Sequence, residues 1–277
     1  MKMALFQNFG KNDDFEQKLA SVSEAVRECA AHLGNIHHLQ NGIIHELVTN
    51  NLYMVWANLA IEKTFEFEYE EIPIRLFLPT GPGDLIQHHI LRNRTFFHPE
   101  SLEMTRTLMP MAGERILDIG AYIGNHTVFY SKLCGASEVE CFEPVRTSFR
   151  ALERNVRLND VNAKLHNFGL GADSSEGRAI LNPTNVGGSS LQHVKGGGIK
   201  ICALDDLNVA PFRAMKIDVE GMALDVLKGA RRTIDANRPS IHVEAFPNEF
   251  AAVNEFLTSM GYRKIGQVSD DHVYVQG

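Results

Sequence analysis

Short apolar runs alternate with helical patterns along the last two thirds of the chain. The first run, 116–119, has the composition of a strand that is buried on both faces, and a predicted helix at 127–133 follows it. A strand, a glycine-containing turn and a helix form the repeating unit of open α/β sheets. We predict core strands at 116–119, 138–144, 163–168, 214–221 and 238–246, helices at 127–133, 147–158, 222–234 and 248–260, and closing strands at 262–265 and 272–275.

The first 63 residues carry a different pattern, because their apolar positions are separated alternately by four and three residues. This spacing runs from Val22 to Met54 and predicts the a/d seam of a coiled coil. Two interpretations stay open: a coiled coil that makes a homo-oligomer, and a helical hairpin folded on its own catalytic domain. We therefore divide the chain into an N-terminal helical segment, 1–63, and an α/β domain, 64–277.

Three further segments lie around the predicted sheet. Residues 64–70 and 72–78 alternate apolar and polar side chains, which predicts a hairpin that turns at Glu70 and Glu71. Asp84 is placed to cap a helix that ends near residue 92, and another helix is predicted at 99–109. The Gly/Ser-rich segment 182–200 is too long for a turn inside an α/β domain. We predict a functional loop there, in which Ser189 or Ser190 donates a hydrogen bond to a ligand.

Composition and charge narrow the class of protein. The 277 residues, 44% of them apolar, suffice for one large α/β domain and a smaller segment. The net charge of −7 argues against a protein that coats nucleic acid. None of the four cysteines forms a C-x-x-C pair, so we expect buried thiols in a reducing compartment. The lack of an apolar signal core and of any apolar run near ~20 residues predicts a cytoplasmic protein without a membrane span.

The turn after the first core strand has the pattern D-x-G-x-x-x-G, which begins at Asp118. A P-loop is excluded, because Asn125-His126 stands where that loop needs Lys and Ser or Thr. The dinucleotide pattern G-x-G-x-x-G fails as well, because Tyr122 occupies its second glycine position. An acid at the strand end repels a pyrophosphate but suits an ammonium or a hydroxyl. The turn therefore favours a cationic nucleoside without phosphates.

A second acid supports this interpretation. Glu143 ends the next predicted strand, 25 residues after Asp118. An acid at this place suits a ribose diol, since both hydroxyls can donate to one carboxylate. A ribose without phosphate, together with an acid for an amino-acid ammonium, describes S-adenosylmethionine. A helix cap at Asp118 and a solvated loop acid at Glu143 are the non-functional alternatives.

The order of five motifs resembles the FkbM-type family of S-adenosylmethionine-dependent methyltransferases. These motifs are ILDIGAYIG at 116–124, FEP at 142–144, GGSSL at 187–191, MKIDVEG at 215–221 and LKGA at 227–230. The resemblance extends from residue 72 to the C-terminus, and it implies a class I methyltransferase fold of seven mostly parallel strands, with one antiparallel strand near the C-terminus. It also implies O-methylation of a sugar, a glycoconjugate or a secondary metabolite, with S-adenosylhomocysteine as product. One departure is Tyr122, where the family usually has Asn.

The same resemblance implies a set of site residues. The expected cofactor contacts are Asp118, Gly120, Ala121, Tyr122, Gly124, Asn125, Glu143, Pro144, Gly169 and Asp218. The expected catalytic residues are Asp218, Glu220 and Glu244, with Asp218 as the first choice for a base that takes the acceptor proton. The cleft candidates are Tyr69, Phe96, Phe97 and His98. We predict no metal; a divalent ion held by the three acids is the alternative.

Two other classes of function remain to be weighed. A non-catalytic oligomeric scaffold with a vestigial cofactor fold is disfavoured, because Asp118, Glu143 and Asp218 are all present. An NAD-dependent dehydrogenase is disfavoured by Tyr122. We expect a small-molecule or carbohydrate acceptor, no nucleic acid, and a homo-oligomer formed through the N-terminal segment. These residues do not determine which acceptor it is.

Overall fold

The computed structural model describes residues 62–277 without a gap and, before them, Glu24, Glu28, 51–54, 56–57 and Leu59. The chain divides into two units, Met1–Asn51 and Leu52–Gly277. The predicted helical segment, 1–63, lies almost entirely outside the described residues. Its coiled coil and its boundary at residue 63 therefore stay predictions.

The secondary structure of residues 62–277 consists of strands and short helices. The strands are β1 (Thr64–Tyr69), β2 (Ile72–Phe77), β3 (Arg115–Ile119), β4 (Glu138–Phe142), β5 (Ala163–His166), β6 (Gly169–Leu170), β7 (Ser175–Ile180), β8 (Ser190–His193), β9 (Ile199–Cys202), β10 (Ala214–Ile217), β11 (Ser240–Glu244), β12 (Tyr262–Val268) and β13 (Asp271–Gln276). The α-helices are α1 (Leu85–Asn93), α2 (Pro99–Leu108), α3 (Asn125–Lys132), α4 (Arg146–Leu158), α5 (Ala223–Gly229), α6 (Arg231–Asn237) and α7 (Phe250–Ser259), and single 3-10 turns lie at Gly81–Gly83 and Leu204–Asp206.

Seven strands form the central sheet in the order β12-β13-β11-β10-β3-β4-β5. Neighbouring strands from β11 to β5 are parallel, and β13 is antiparallel to both β11 and β12. The chain enters the sheet at β3, moves outward through β4 and β5, and returns to the other side of β3 as β10. Ligands of open α/β sheets bind at such a reversal, outside the carboxyl ends of the strands. The predicted fold of seven mostly parallel strands is confirmed.

Helices cover both faces of the sheet, which explains the nearly continuous apolar runs in its central strands. Successive side chains of a strand point to opposite faces. Accordingly Ile116 belongs to the buried cluster beneath α3 and α4, whereas Leu117 belongs to the cluster beneath α5, α6 and α7. Both side chains are fully buried. The core therefore has two halves, one on each side of the sheet.

The β1–β2 hairpin turns where the sequence predicts it. Glu70 and Glu71 have φ values of 49° and 66°, the left-handed pair that matches the twist of a two-residue hairpin. The prediction that Tyr69 and Phe96 line a cleft is wrong. Their rings lie 5.9 and 5.3 Å from that of Phe129, in edge-on contacts within the core.

Two predicted elements differ from the structure. The single helix at 222–234 is two helices, because the Asp205 carboxylate accepts from the amides of Arg232 and Thr233 and so starts α6 anew. The loop at 182–200 contains strand β8, which pairs with β7 in a second sheet of order β6-β9-β7-β8. Only the residues on either side of β8 are loop. None of the helices that the structure describes is long and apolar enough to cross a lipid bilayer.

Candidate functional site

Two adjoining cavities lie outside the carboxyl ends of β3, β4 and β10. The first has an empty volume of about 560 Å³, open mouth included. Apolar and glycine residues make much of its wall: Ile119, Phe142, Gly169, Leu170, Leu191 and Met222. The polar groups of the second cavity include Asn125, His126, Lys216, Glu244 and Asp271. Gly120, Tyr122, Gly187, Asp218 and Glu220 line both cavities.

The turn after β3 brings the backbone close to both cavities. Gly120 has a φ of 78°, and a Cβ at this position would overlap the carbonyl oxygen of Asp218. The amides of Gly120 and Ala121 donate to the carbonyl of Phe142 at 2.9 and 3.1 Å. Gly124 then forms the N-terminal cap position of α3. Only glycine fits at position 120, which explains the first glycine of the pattern.

Glu143 is held at the floor of the first cavity by two backbone amides. Its Oε2 accepts from the amide of Tyr122 at 2.9 Å, and its Oε1 accepts from that of Val145 at 2.7 Å. The side chain is 5% exposed. Burial raises the pKa of Glu143 to about 7, although the two amides act in the opposite direction. Each oxygen keeps a further lone pair, so the carboxylate can accept from two hydroxyl groups of a ligand.

This raised pKa predicts a pH dependence of stability. The folded state binds more protons than the unfolded state between pH 4.5 and about 7, so the contribution of Glu143 falls as the pH rises through that range. The expected loss is on the order of 3 kcal/mol. Urea unfolding between pH 4.5 and 8.5 should show the Glu143→Gln variant gaining stability relative to wild type as the pH increases. A difference that is independent of pH would contradict this origin of the shift.

Asp118 lies behind the cavities and not in either of them. It is fully buried; its Oδ2 accepts from the hydroxyl of Thr127 at 2.6 Å, and its Oδ1 lies 3.2 Å from Lys216 Nζ. The same ammonium lies 3.3 Å from Asp218 Oδ2 and donates to the carbonyl of Gly120 at 2.7 Å. Burial lowers the pKa of Lys216, but Asp118 and Asp218 raise it more, so that the net pKa lies above its ordinary value. Lys216 is therefore a buried cation that joins β3 to β10.

The three predicted catalytic acids come together at the boundary between the cavities. One carboxylate oxygen from each of Asp218, Glu220 and Glu244 lies within 4.8 Å of the others. Burial, followed by the charge of Asp218, raises the pKa of Glu220 to about 7 and that of Glu244 to about 11. Glu244 is therefore protonated at neutral pH. Three carboxylate oxygens so placed suit a divalent cation, but the ammonium of Lys216 already neutralises Asp218. The prediction of no metal stays untested.

Two further side chains, His126 and Asp271, line the second cavity. His126 lines it from the first turn of α3 and makes no hydrogen bond within the described part of the chain. Burial, followed by Lys216, lowers the pKa of His126 well below its ordinary value, so the imidazole is neutral. Asp271 reaches the cavity from β13 and accepts from His242 Nε2 at 2.8 Å. Asp271 lies in a predicted turn near the C-terminus, and nothing in that part of the sequence indicated that its side chain would line the second cavity.

The predicted cofactor contacts divide into three groups. Those that line the first cavity are Gly120, Tyr122, Glu143, Pro144, Gly169 and Asp218. Asn125 lines only the second cavity, where its side chain also bonds the backbone of Phe97. Asp118, Ala121 and Gly124 line neither cavity. Of the cleft candidates, Phe97 and His98 line the second cavity. Ser189, one of the two serines predicted to donate from the 182–200 loop, lines the first.

Comparison with known proteins defines the class and then the family. The crystal structure of Methyltransferase FkbM from Methylobacillus flagellatus KT matches with a TM-score of 0.50 and 20% identity, over 69% of this chain and 52% of that one. The fold is therefore that of the class I methyltransferases. The model of the methyltransferase FkbM domain matches residues 118–264, which is more than half of the chain. The chain belongs to this family, and the resemblance seen in the sequence is confirmed.

Two further relatives are more distant. Methyltransferase 1 of Beauveria bassiana (strain ARSEF 2860) is 25% identical over 142 residues, which are 41% of this chain and 57% of that protein. A 16S rRNA methyltransferase of T. Thermophilus, solved with AdoMet and guanosine, has a TM-score of 0.44 and 15% identity over 77% of this chain and 50% of that one, too weak a likeness to support an argument. The chain spans little more than half the length of the curated relative.

Proposed function

We propose that this protein is an S-adenosylmethionine-dependent methyltransferase that methylates a hydroxyl group of a sugar, a glycoconjugate or a secondary metabolite. The observation that carries the proposal is Glu143, held by two amides in a cavity beside a second, acidic cavity. The first cavity suits a nucleoside and the second suits an acceptor. Methyl transfer needs both, arranged side by side so that the reacting atoms meet in line.

The lining of the first cavity fits this cofactor better than a dinucleotide or ATP. Among the described residues, neither Lys, Arg nor His lines it, so there is no cation to hold a phosphate. Glu143 is placed to accept from both hydroxyls of a ribose, and Phe142, Leu170 and Met222 offer an apolar wall to a purine. Asp118, which the sequence suggested as a direct contact, acts in this proposal through Lys216, which orders Asp218 and Gly120.

The residues of the second cavity have separate tasks in the proposed reaction. When bound, S-adenosylmethionine supplies an electrophilic methyl group. Asp218, ordered by Lys216, accepts the hydrogen bond of the acceptor hydroxyl and takes its proton. Glu244 is protonated and donates to a second acceptor oxygen, and Glu220 accepts from a neighbouring hydroxyl. The proposed acceptor is a small molecule or a carbohydrate and not a nucleic acid.

A ligand screen followed by a turnover assay tests the proposal. Thermal shift with S-adenosylhomocysteine, NAD and ATP should show stabilisation by the first alone, by about 2.7 kcal/mol at a hundredfold excess over Kd. S-adenosylhomocysteine formation should then be measured with a panel of glycosides and phenols. Stabilisation by NAD alone would favour a dehydrogenase. Binding of S-adenosylhomocysteine without turnover on any acceptor would favour the scaffold.

Replacing Asp218 with Asn should reduce turnover by about 10²–10⁴-fold and change the affinity for S-adenosylhomocysteine much less. The amide keeps the size of the side chain but cannot take the acceptor proton. Steady-state rates and calorimetry on the same preparation separate the two effects. Asp225→Asn is the matched control, because this acid pairs with Lys228 on the surface of α5 and lines neither cavity. Unchanged turnover in Asp218→Asn would remove Asp218 from the role of base.

Two properties of the whole protein are proposed from the sequence alone. The heptad pattern of the N-terminal segment supports a homo-oligomer, and the cysteine pattern supports a cytoplasmic location. Light scattering of the full chain and of a variant with Val26 and Leu33 replaced by Asp would test the first. A monomeric wild type would contradict it.

A further inference from the structure

A four-residue stretch, Thr184 to Gly187, lies across the boundary of the two cavities. We refer to it as the bridging segment. Val186 and Gly187 line the first cavity, whereas Asn185 and Gly187 line the second. The segment therefore forms part of the wall around a ligand in either cavity. The contacts that hold the segment in place are therefore expected to affect the dissociation rate of a ligand.

Asp84 and the first turn of α1 hold the bridging segment through two hydrogen bonds. Asp84 Oδ1 accepts from the amide of Gln87 at 3.0 Å and so caps α1. Its other oxygen, Oδ2, accepts from the amide of Val186 at 2.7 Å. The amide of Leu85 donates to the carbonyl of Thr184 at 2.8 Å. Asp84 is 1% exposed, so these bonds are shielded from water.

Gln87 connects the same turn to the cofactor loop. Its Nε2 donates to the hydroxyl of Tyr122 at 2.9 Å, and its Oε1 accepts from the amides of Thr80 and Gly81 at 3.0 and 2.9 Å. Tyr122 in turn donates its amide to Glu143. A continuous set of hydrogen bonds therefore runs from Glu143 to the residues that hold the bridging segment.

Tyr122 makes this connection through its hydroxyl. A shorter side chain, such as that of Asn, would not place a polar atom where the Tyr122 hydroxyl lies. Gln87 is 1% exposed, so its amide would then lose a partner inside the protein. Tyr122, which breaks the dinucleotide glycine pattern, therefore links the turn after β3 to the first turn of α1.

We propose that Asp84 is a positioning residue that keeps the bridging segment closed over the cofactor and limits the rate at which the cofactor leaves. This rests on the proposed function, since it takes the first cavity as the cofactor site. Asp84 lines neither cavity, so its effect on the ligand passes through the residues that it contacts, which are Val186 and Tyr122, whose hydroxyl lies beside the Asp84 carboxylate. The bond from a charged acceptor to a buried amide is strong enough for its loss to change a dissociation rate by about tenfold.

Asp84→Asn separates this role from the capping of α1. Asn is as good a helix cap as Asp, so its oxygen can keep the bond from Gln87. Its amide would then face the amide of Val186, two donors without an acceptor. We expect S-adenosylhomocysteine to dissociate about tenfold faster in stopped flow, with an association rate within twofold of wild type. Hydrogen exchange at Val186 should accelerate by a similar factor in the protein without ligand.

Two more variants keep the test decisive. Asp84→Ser also caps α1 but is too short to reach Val186, so it should reproduce both effects. Asp205→Asn is the matched control: Asp205 caps α6 by accepting from Arg232 and Thr233, and it lines neither cavity. It should leave the dissociation rate unchanged.

The outcomes distinguish this proposal from the proposed function. If wild type fails to bind S-adenosylhomocysteine, the function is wrong, and with it the role of Asp84 in cofactor release. If wild type binds but Asp84→Asn and Asp84→Ser release the ligand at the wild-type rate, the role of Asp84 is wrong and the function stands. Faster release in Asp205→Asn as well would also overturn it, because the effect would then not depend on the bond between Asp84 and Val186.

Discussion

Replacing Glu143 with Gln should lower the affinity for S-adenosylhomocysteine by about ten- to a hundredfold. The carboxylate accepts from two amides and, in the proposed complex, from two ribose hydroxyls. A Gln side chain has one acceptor oxygen and one NH₂ group, so it turns one of these places into a clash of donors. Each unsatisfied group in this buried position costs about 1–3 kcal/mol, which supplies the expected factor. Isothermal titration calorimetry at pH 8, where wild-type Glu143 is ionised, is the measurement.

Glu138→Gln is the control for this substitution. Glu138 is the first residue of β4, whereas Glu143 directly follows the last one; Glu138 pairs with Arg115 and lies outside both cavities. Its affinity should match that of wild type. If Glu143→Gln also binds like wild type, the ribose does not lie at Glu143, and the cofactor assignment fails with it.

Replacing Lys216 with Met should destabilise the fold by about 3–5 kcal/mol, the cost of leaving a buried charge without its partner. Lys216 is 1% exposed, and its removal leaves the fully buried Asp118 with the Thr127 hydroxyl as its remaining hydrogen-bond partner among the described residues. Asp218 loses less, since it is partly exposed. The free energy of unfolding from urea titration is the measurement, with wild type at the same pH.

The double variant Asp118→Asn/Lys216→Met separates the buried charge from the lost packing. Without the Asp118 carboxylate no uncompensated charge stays in the core, so most of the stability should return. Its affinity for S-adenosylhomocysteine should stay reduced, because Gly120 and Asp218 are no longer ordered by Lys216. A double variant less stable than Lys216→Met would show that Asp118 is not the source of the cost.

Short patterns in the sequence predicted several features of this site and its surroundings. The glycine at position 120 follows from the backbone of its own turn, and Glu143 comes directly after a short strand. The hairpin at Glu70 and the cap at Asp84 are also properties of a few consecutive residues. Each depends on backbone geometry over less than ten residues, which a pattern can display.

The sequence was least informative about the direction of side chains at the strand ends. Asp118 and Glu143 both lie where a strand meets its loop, yet Glu143 lines the cavity and Asp118 points into the protein. A pattern shows that an acid stands at an edge but not which neighbour neutralises it. Lys216, the partner of Asp118, lies 98 positions later in the chain, and the parallel register of β3 and β10 brings the two together.

By itself, the sequence determined the order of strands and helices, the glycine turn and the acid that the cofactor is proposed to use, because propensity and spacing act between near neighbours. The tertiary structure alone decided that Lys216 neutralises Asp118 and that Asp84 reaches Val186, 102 residues away. It also decided that Asp271 joins the second cavity. These contacts depend on which strands become neighbours in the sheet and on how the loops cross its edge, and the packing of the whole domain sets both.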